Sequence, residues 1–169
     1  MRKNGATRLC QMLTVSCAVA LVTSVLTIGA VDAQDVGGSV AIVVHPDVDI
    51  DELSMDRLRR IFLAEQQYWP DNSRIVLLVR APAAYERTVV LERIYRMTED
   101  QFRRYWIAKI FRAEIPSGPK VVLSTNMARE LVSVIPSSIT FMLAADVGPD
   151  SKIIRVDGKL PDEDGYPLM

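Results

Sequence analysis

The sequence predicts an α/β domain, with about five strands in a mixed sheet covered by about four helices. Three observations lead there. From residue 40 onward, short apolar runs rich in Val and Ile alternate with stretches that carry apolar residues at helical spacing. Clusters of Pro, Gly, Asn, Asp and Ser punctuate that alternation. One run, Arg74 to Arg80, is apolar almost from end to end, the pattern of a strand covered on both faces.

The first strand is Val40-Ala41-Ile42-Val43-Val44, stopped by His45-Pro46-Asp47. Ser54 is a good N-cap; with Asp56 in the first turn and Leu58, Ile61 and Phe62 at helical spacing, it opens a helix over about 55–64. Turn chemistry at Trp69-Pro70-Asp71-Asn72-Ser73 leads into the second strand, Arg74 to Arg80, which Pro82 ends. Val89, Val90, Ile94 and Met97 give Tyr85 to Met97 helical character. Thr98 and Gln101 fit a capping box, so a new helix starts there. Phe102, Tyr105, Trp106 and Ile110 form its apolar stripe, Arg103, Arg104 and Lys109 lie largely off it, and Pro116-Ser117-Gly118-Pro119 stops it.

Lys120 to Ser124 is the third strand. Thr125-Asn126 reads as the cap of a helix through Met127, Leu131, Val134 and Ile135, closed by Pro136. Ser138 to Leu143 begins with polar and apolar residues in alternation and is the fourth strand. Lys152 to Val156 is the last, with a tight turn at Asp157-Gly158. The tail from Leu160 to Met169 is rich in Pro, Gly and acidic residues.

Ahead of these elements, Arg2, Lys3 and Arg8 precede an apolar stretch from Leu9 to Ala30, and Val31-Asp32-Ala33 places small residues two apart. That is the layout of a secretory signal peptide, residues 1–33, cleaved after Ala33. A retained anchor is the alternative, because about twenty apolar residues span a bilayer. The expected location is the periplasm, without stable membrane insertion once the signal is removed. The domain is then residues 34–169, 136 residues, enough for a hydrophobic core. Cys10 and Cys17 both fall in the signal peptide, so the domain has no disulfide and must be held by packing. Its 17 basic and 20 acidic side chains give no bulk attraction to nucleic acid or an anionic membrane.

Few residues suit chemistry. His45 is the sole histidine, so a His-based metal cluster is excluded, and a domain without Cys offers no thiolate nucleophile or zinc ligand. P-loop, G-x-G-x-x-G and G-x-S-x-G motifs are all absent. The carboxylates Asp49, Asp51 and Glu52, and Asp162, Glu163 and Asp164, sit in polar segments, where nothing tunes them for acid–base work. A binding protein is expected, not an enzyme, and no cofactor. Arg80 is the best candidate ligand-binding residue. It ends an apolar strand, ligands of open α/β sheets collect at the carboxyl ends of strands, and a guanidinium grips a tetrahedral anion through two parallel hydrogen bonds. A structural ion pair is the other role such a position allows. Arg57, Arg59, Arg60, Arg87, Arg93, Arg96, Arg103, Arg104 and Arg112 lie on helices and read as solvated faces, which together could meet an anionic partner.

Taken in order over residues 40–169, several of these marks resemble the phosphate-type periplasmic substrate-binding proteins of ABC transporters. Leu58-Arg59-Arg60-Ile61-Phe62 followed by Trp69 is similar to that family's helix-plus-tryptophan signature, and Ile75 to Arg80 to its strand ending in arginine. Val134 to Ile139 is similar to its Val-x-x-Pro-Gly-x-Ile turn; Val156 to Pro161 and Gly165 to Leu168 are similar to its closing Asp-Gly…Pro and Tyr-Pro-Leu elements. The resemblance implies a periplasmic-binding-protein-like domain, a phosphate-like small anion as ligand, and a transporter or envelope protein as partner. The chain departs from the family where the anion is held. The family uses a Thr-Gly-Ser-Gly loop and an Arg-x-x-x-Ser-Gly-Thr segment, whose glycines let backbone amides converge on an oxyanion. Here no Gly-rich loop follows the first strand, and Ala81 to Glu86 follow Arg80, with Glu86 in the threonine's place. Ala64 stands for the glycine after Phe62, and Ser138 for the glycine before the isoleucine. The expectation is a short form of the domain with weak or altered anion binding at Arg80. The alternative is a ligand-free module that docks on an envelope protein through Tyr68, Trp69, Tyr105 and Trp106, although Trp106 also suits core packing.

Overall fold

The computed structural model describes residues 37–169. The expected signal peptide with its cleavage site and both cysteines lie outside the described residues. The strands are β1 (Val40–Val44), β2 (Glu52–Leu53), β3 (Val76–Arg80), β4 (Lys120–Val122), β5 (Ser138–Leu143) and β6 (Lys152–Val156). They form one six-stranded sheet in the order β2-β6-β1-β5-β3-β4. β1 is antiparallel to both of its neighbours, β5 and β6, while β3 runs parallel to β4 and β5 and β2 runs parallel to β6. The helices are α1 (Met55–Phe62), α2 (Tyr85–Val90), α3 (Glu99–Phe111) and α4 (Thr125–Val134). This is the mixed α/β architecture the sequence predicts, with one strand more. The two residues of β2 are too few to leave a periodic signal, and their pairing with Arg155 and Val156 depends on a strand a hundred residues later.

Alternation along the strands divides the core between two faces. Val40, Ile42, Val44, Leu77 and Val79 point toward Leu58, Phe62, Val90 and Phe102 of the α1, α2 and α3 layer. Ala41, Val43, Leu78 and Met142 point the other way, onto Ala128 and Val132 of α4. Covered on both sides, the central strands have no wet face, which is why β1 and β3 are continuous apolar runs. The tail joins the first face: Tyr166 and Leu168 are buried, the Tyr166 hydroxyl donates to the Val40 carbonyl at 2.9 Å, and the Val40 amide donates to the Leu168 carbonyl at 2.8 Å.

Local signals set most helix starts. Ser54 accepts from the Arg57 amide, and Thr98 and Gln101 make the reciprocal capping box. At α4 the cap is Ser124, whose hydroxyl accepts from the Met127 amide at 3.1 Å; Thr125 is already helical, one residue earlier than Thr125-Asn126 suggests. Tyr85 to Met97 is helical only to Tyr95. After α2 the chain widens into a π-helical turn, Leu91–Tyr95, and stops at Arg96 in the left-handed region, φ 54.

On α3 the stripe runs Phe102, Trp106, Lys109 rather than on to Ile110. Lys109 buries its aliphatic stem, sets its ammonium 3.3 Å from Glu114 and passes over the Tyr105 ring, so the charge is met at the edge of the core. Asp157 and Gly158 both take positive φ, 50 and 79, as a tight hairpin turn requires, and Asp157 accepts from the Met55 amide at 2.9 Å, tying the turn to α1.

Candidate functional site

The polar cluster at the carboxyl end of β3 is built from three elements. Arg80 is the last residue of β3, Glu86 and Arg87 lie in the first turn of α2, and Thr125 opens α4. Exposures of 7% for Arg80, 5% for Glu86 and 4% for Arg87 place all three charges inside the protein. Arg80 Nε donates to Glu86 Oε1 at 2.5 Å, and Nη2 reaches Thr125 Oγ1 at 3.4 Å. Arg87 Nη1 donates to the Arg80 carbonyl, while its Nε and Nη2 clasp the two oxygens of Glu99 at 2.9 and 2.7 Å. The same guanidinium lies 4.7 Å over the Phe102 ring.

Two buried cations thus face two carboxylates, and the bidentate Arg87 contact holds the Glu99 carboxyl below its ordinary value of 4.5. Of the sequence alternatives for Arg80, the ion pair is the one that forms. The Nη1 amino group of Arg80 stays open: it is buried without a hydrogen-bond partner. An anion that gripped Arg80 through Nε and Nη2 would have to displace Glu86, whereas one approaching Nη1 and Nη2 would share the guanidinium's charge with that carboxylate.

Arg87, which the sequence places on a solvated face, is the second buried cation. The missed signal is spacing: Glu86, Val90 and Ile94 fall four apart, so Glu86 shares the buried stripe of its helix and brings charge inward with it. The glycine substitutions follow the backbone. Ala64 sits in the left-handed region with φ 52, and the corresponding residue in the Pro136 turn is Ser137, with φ 61, not Ser138, which is the first residue of β5. His45 is buried at the end of β1, where Nδ1 accepts from the Asp47 amide at 3.1 Å in a local turn. Of the four aromatics suited to partner docking, Tyr68 alone is exposed. Trp69 is buried with its indole N–H donating to the Ser137 carbonyl, Trp106 is buried, and Tyr105 donates to the Leu63 carbonyl. Among the described residues, no group of three or more His, Cys, Asp or Glu side chains is placed to hold a metal ion.

No family model matches the chain, and no curated protein matches it. Solved structures do resemble it. An ABC-type phosphate transport receptor from Vibrio cholerae superposes with a TM-score of 0.63 at 19% identity, over 78% of this chain and 53% of that one. PstS from Borrelia burgdorferi gives 0.62 at 17% identity, over 78% and 54%. A phosphate-binding protein from Stenotrophomonas maltophilia gives 0.58 at 14% identity, over 75% and 41%. At these identities the likeness is one of fold, a periplasmic-binding-protein-like α/β domain. The chain spans about half the length of the solved structures it matches.

Proposed function

We propose that the protein is a periplasmic substrate-binding-protein-like module whose Arg80 site has weak or altered small-anion binding, because Glu86 already occupies the guanidinium. The fold supports the first part. The second rests on one observation: the arginine at the carboxyl end of β3 is buried with an internal carboxylate on Nε, and its Nη1 amino group is left unpartnered. An incoming phosphate, sulfate or small carboxylate competes with Glu86 for the same positive charge, and the competition removes most of the affinity. In this reading the protein is not an enzyme. Among the described residues no helix is long and apolar enough to cross a membrane, and export rests on residues 1–33.

Isothermal titration of the chain from Gln34 with phosphate, sulfate and acetate tests it. Expected dissociation constants are about 1 mM or weaker, near −4 kcal/mol, tightened in Glu86→Gln and abolished in Arg80→Ala. Tight phosphate binding that Arg80→Ala leaves intact would overturn the assignment.

A second reading, docking on an envelope protein, draws on a different surface from the one its aromatics suggested. Phe111 is 86% exposed and Leu123 74%, and Ile107, Ile110 and Val121 are also exposed on α3 and β4. A contiguous exposed apolar patch marks an interaction site. A pull-down from envelope extract with the wild type and with Phe111→Ser/Leu123→Ser tests it: identical capture by the two proteins removes this reading.

A further inference from the structure

A cleft of about 240 Å³ opens at the amino end of β3, some 13 Å of strand away from Arg80. Four separate segments wall it. Ile61 at the end of α1, Ile75 and Leu77 at the start of β3, and Ile115 after α3 supply an apolar lining; Arg74 and Lys120 supply cations. Neither cation makes an ion pair or a side-chain hydrogen bond among the described residues, and both are exposed.

Gln66, Gln67 and the turn at residues 116–119 complete the wall together with Trp106, which is 6% exposed and whose indole Nε1–H is buried with no acceptor. Edge-on packing against Phe102 at 6.0 Å and Tyr105 at 5.7 Å fixes the ring, so rotation does not relieve the donor. The protein's other tryptophan shows the ordinary arrangement, with its N–H paired to the Ser137 carbonyl at 2.9 Å. A buried donor without a partner in a folded protein points to an acceptor that the chain itself does not supply, either a water or a ligand.

We propose that this cleft is a binding site for a small apolar monocarboxylate. The hydrocarbon or aromatic part packs on Ile61, Ile75 and Ile115, and the carboxylate lies toward Arg74 and Lys120. A ligand oxygen, directly or through one bridging water, becomes the acceptor for the Trp106 N–H. Volume limits the ligand. The cleft is larger than the ~150 Å³ apolar cavity that takes up benzene and smaller than the ~300 Å³ at which drug-sized pockets begin, so a single ring or a short branched chain fits. The single negative charge follows from two free cations beside an apolar floor, with no acidic side chain in the lining.

Phenylacetate and its neutral analogue phenylethanol are the probes, and the two indole N–H resonances of the labelled protein are the readout. Trp106→Phe identifies the Trp106 signal by its loss. Phenylacetate should shift that signal saturably and leave the Trp69 signal in place. Phenylethanol should bind more weakly, and Arg74→Gln/Lys120→Gln should weaken phenylacetate about tenfold. Both cations are exposed, so this double variant folds and the result does not depend on the Trp106 substitution. An unmoved Trp106 signal at tens of millimolar phenylacetate, or equal midpoints for acid and alcohol and for wild type and double variant, overturns the proposal.

Discussion

The two ends of β3 hold their positive charge in opposite ways. At the carboxyl end, Arg80 and Arg87 are buried and matched by Glu86 and Glu99, so the protein completes its own ion pairs. At the amino end, Arg74 and Lys120 stand exposed beside an apolar cleft and an indole donor without an acceptor. The first arrangement compensates its own buried charges and leaves little for a ligand; the second leaves its charges available. An arginine at a strand end is therefore not a binding residue by position. Its availability is decided by whether the next helix carries a carboxylate inward.

Removing the internal partner at the closed end is the strongest way to break this contrast. Glu86→Ala strands Arg80 in the interior, and leaving one partner of a buried pair uncompensated costs about 3–5 kcal/mol. Arg80→Met/Glu86→Leu, which removes both charges and keeps the volume, should lose much less. Lys120→Ala at the open end should stay within about 0.5 kcal/mol of wild type. Urea unfolding of the three variants checks the ranking, and a Glu86→Ala loss no larger than that of Lys120→Ala would erase the difference between the two ends.

Much of the fold is legible in sequence because its signals are local. The apolar runs of β1 and β3, the Ser54 cap and the Thr98 capping box each depend on residues within a few positions. The misread positions depend on partners far away in sequence or on geometry that spacing does not encode. β2 needs β6, and the depth of Arg87 needs Glu99 and Phe102. Lys109 reads as a surface residue until Tyr105 and Glu114 are seen to receive it. Arg80 was legible as a strand-end arginine open to a ligand or an ion pair, and what spacing left undecided is the direction of one carboxylate in α2. The cleft was not legible at all: its walls come from segments between Ile61 and Lys120 that meet only on folding.

Acid titration sharpens the closed end further. Arg87 holds the Glu99 carboxyl below its ordinary value of 4.5, so the folded state binds fewer protons than the unfolded chain there. Its contribution is complete above the unfolded value and is lost as pH falls through the lower folded one. Because Glu99 is partly exposed, solvent screening limits that contribution to about 1 kcal/mol. Glu99→Gln should therefore be less stable than wild type at pH 7 and should lose less stability between about pH 5 and pH 3. Urea midpoints at the two ends of that range check the sign, and parallel pH dependences in the two proteins would count against the Arg87 clasp.

The smallest effect lies at the edge of the open end, where Ala64 follows α1 in the left-handed region with φ 52 and lines the cleft. That conformation costs a residue with a Cβ about 1–2 kcal/mol. Glycine removes the strain but returns freedom to the unfolded chain, which offsets about 0.4–1 kcal/mol. The balance for Ala64→Gly is a gain of about 0.5–1 kcal/mol, a rise in Tm of about 2–4 °C for a domain of this size. Ala64 also packs against the first core face, so an unchanged or lower Tm would mean that its methyl contributes more in contact than its backbone loses in strain. The same substitution widens the cleft by that methyl and leaves Arg80 and Glu86 untouched. Phenylacetate affinity should therefore move with Ala64→Gly while the phosphate titration does not, which separates the two ends of β3 in a single variant.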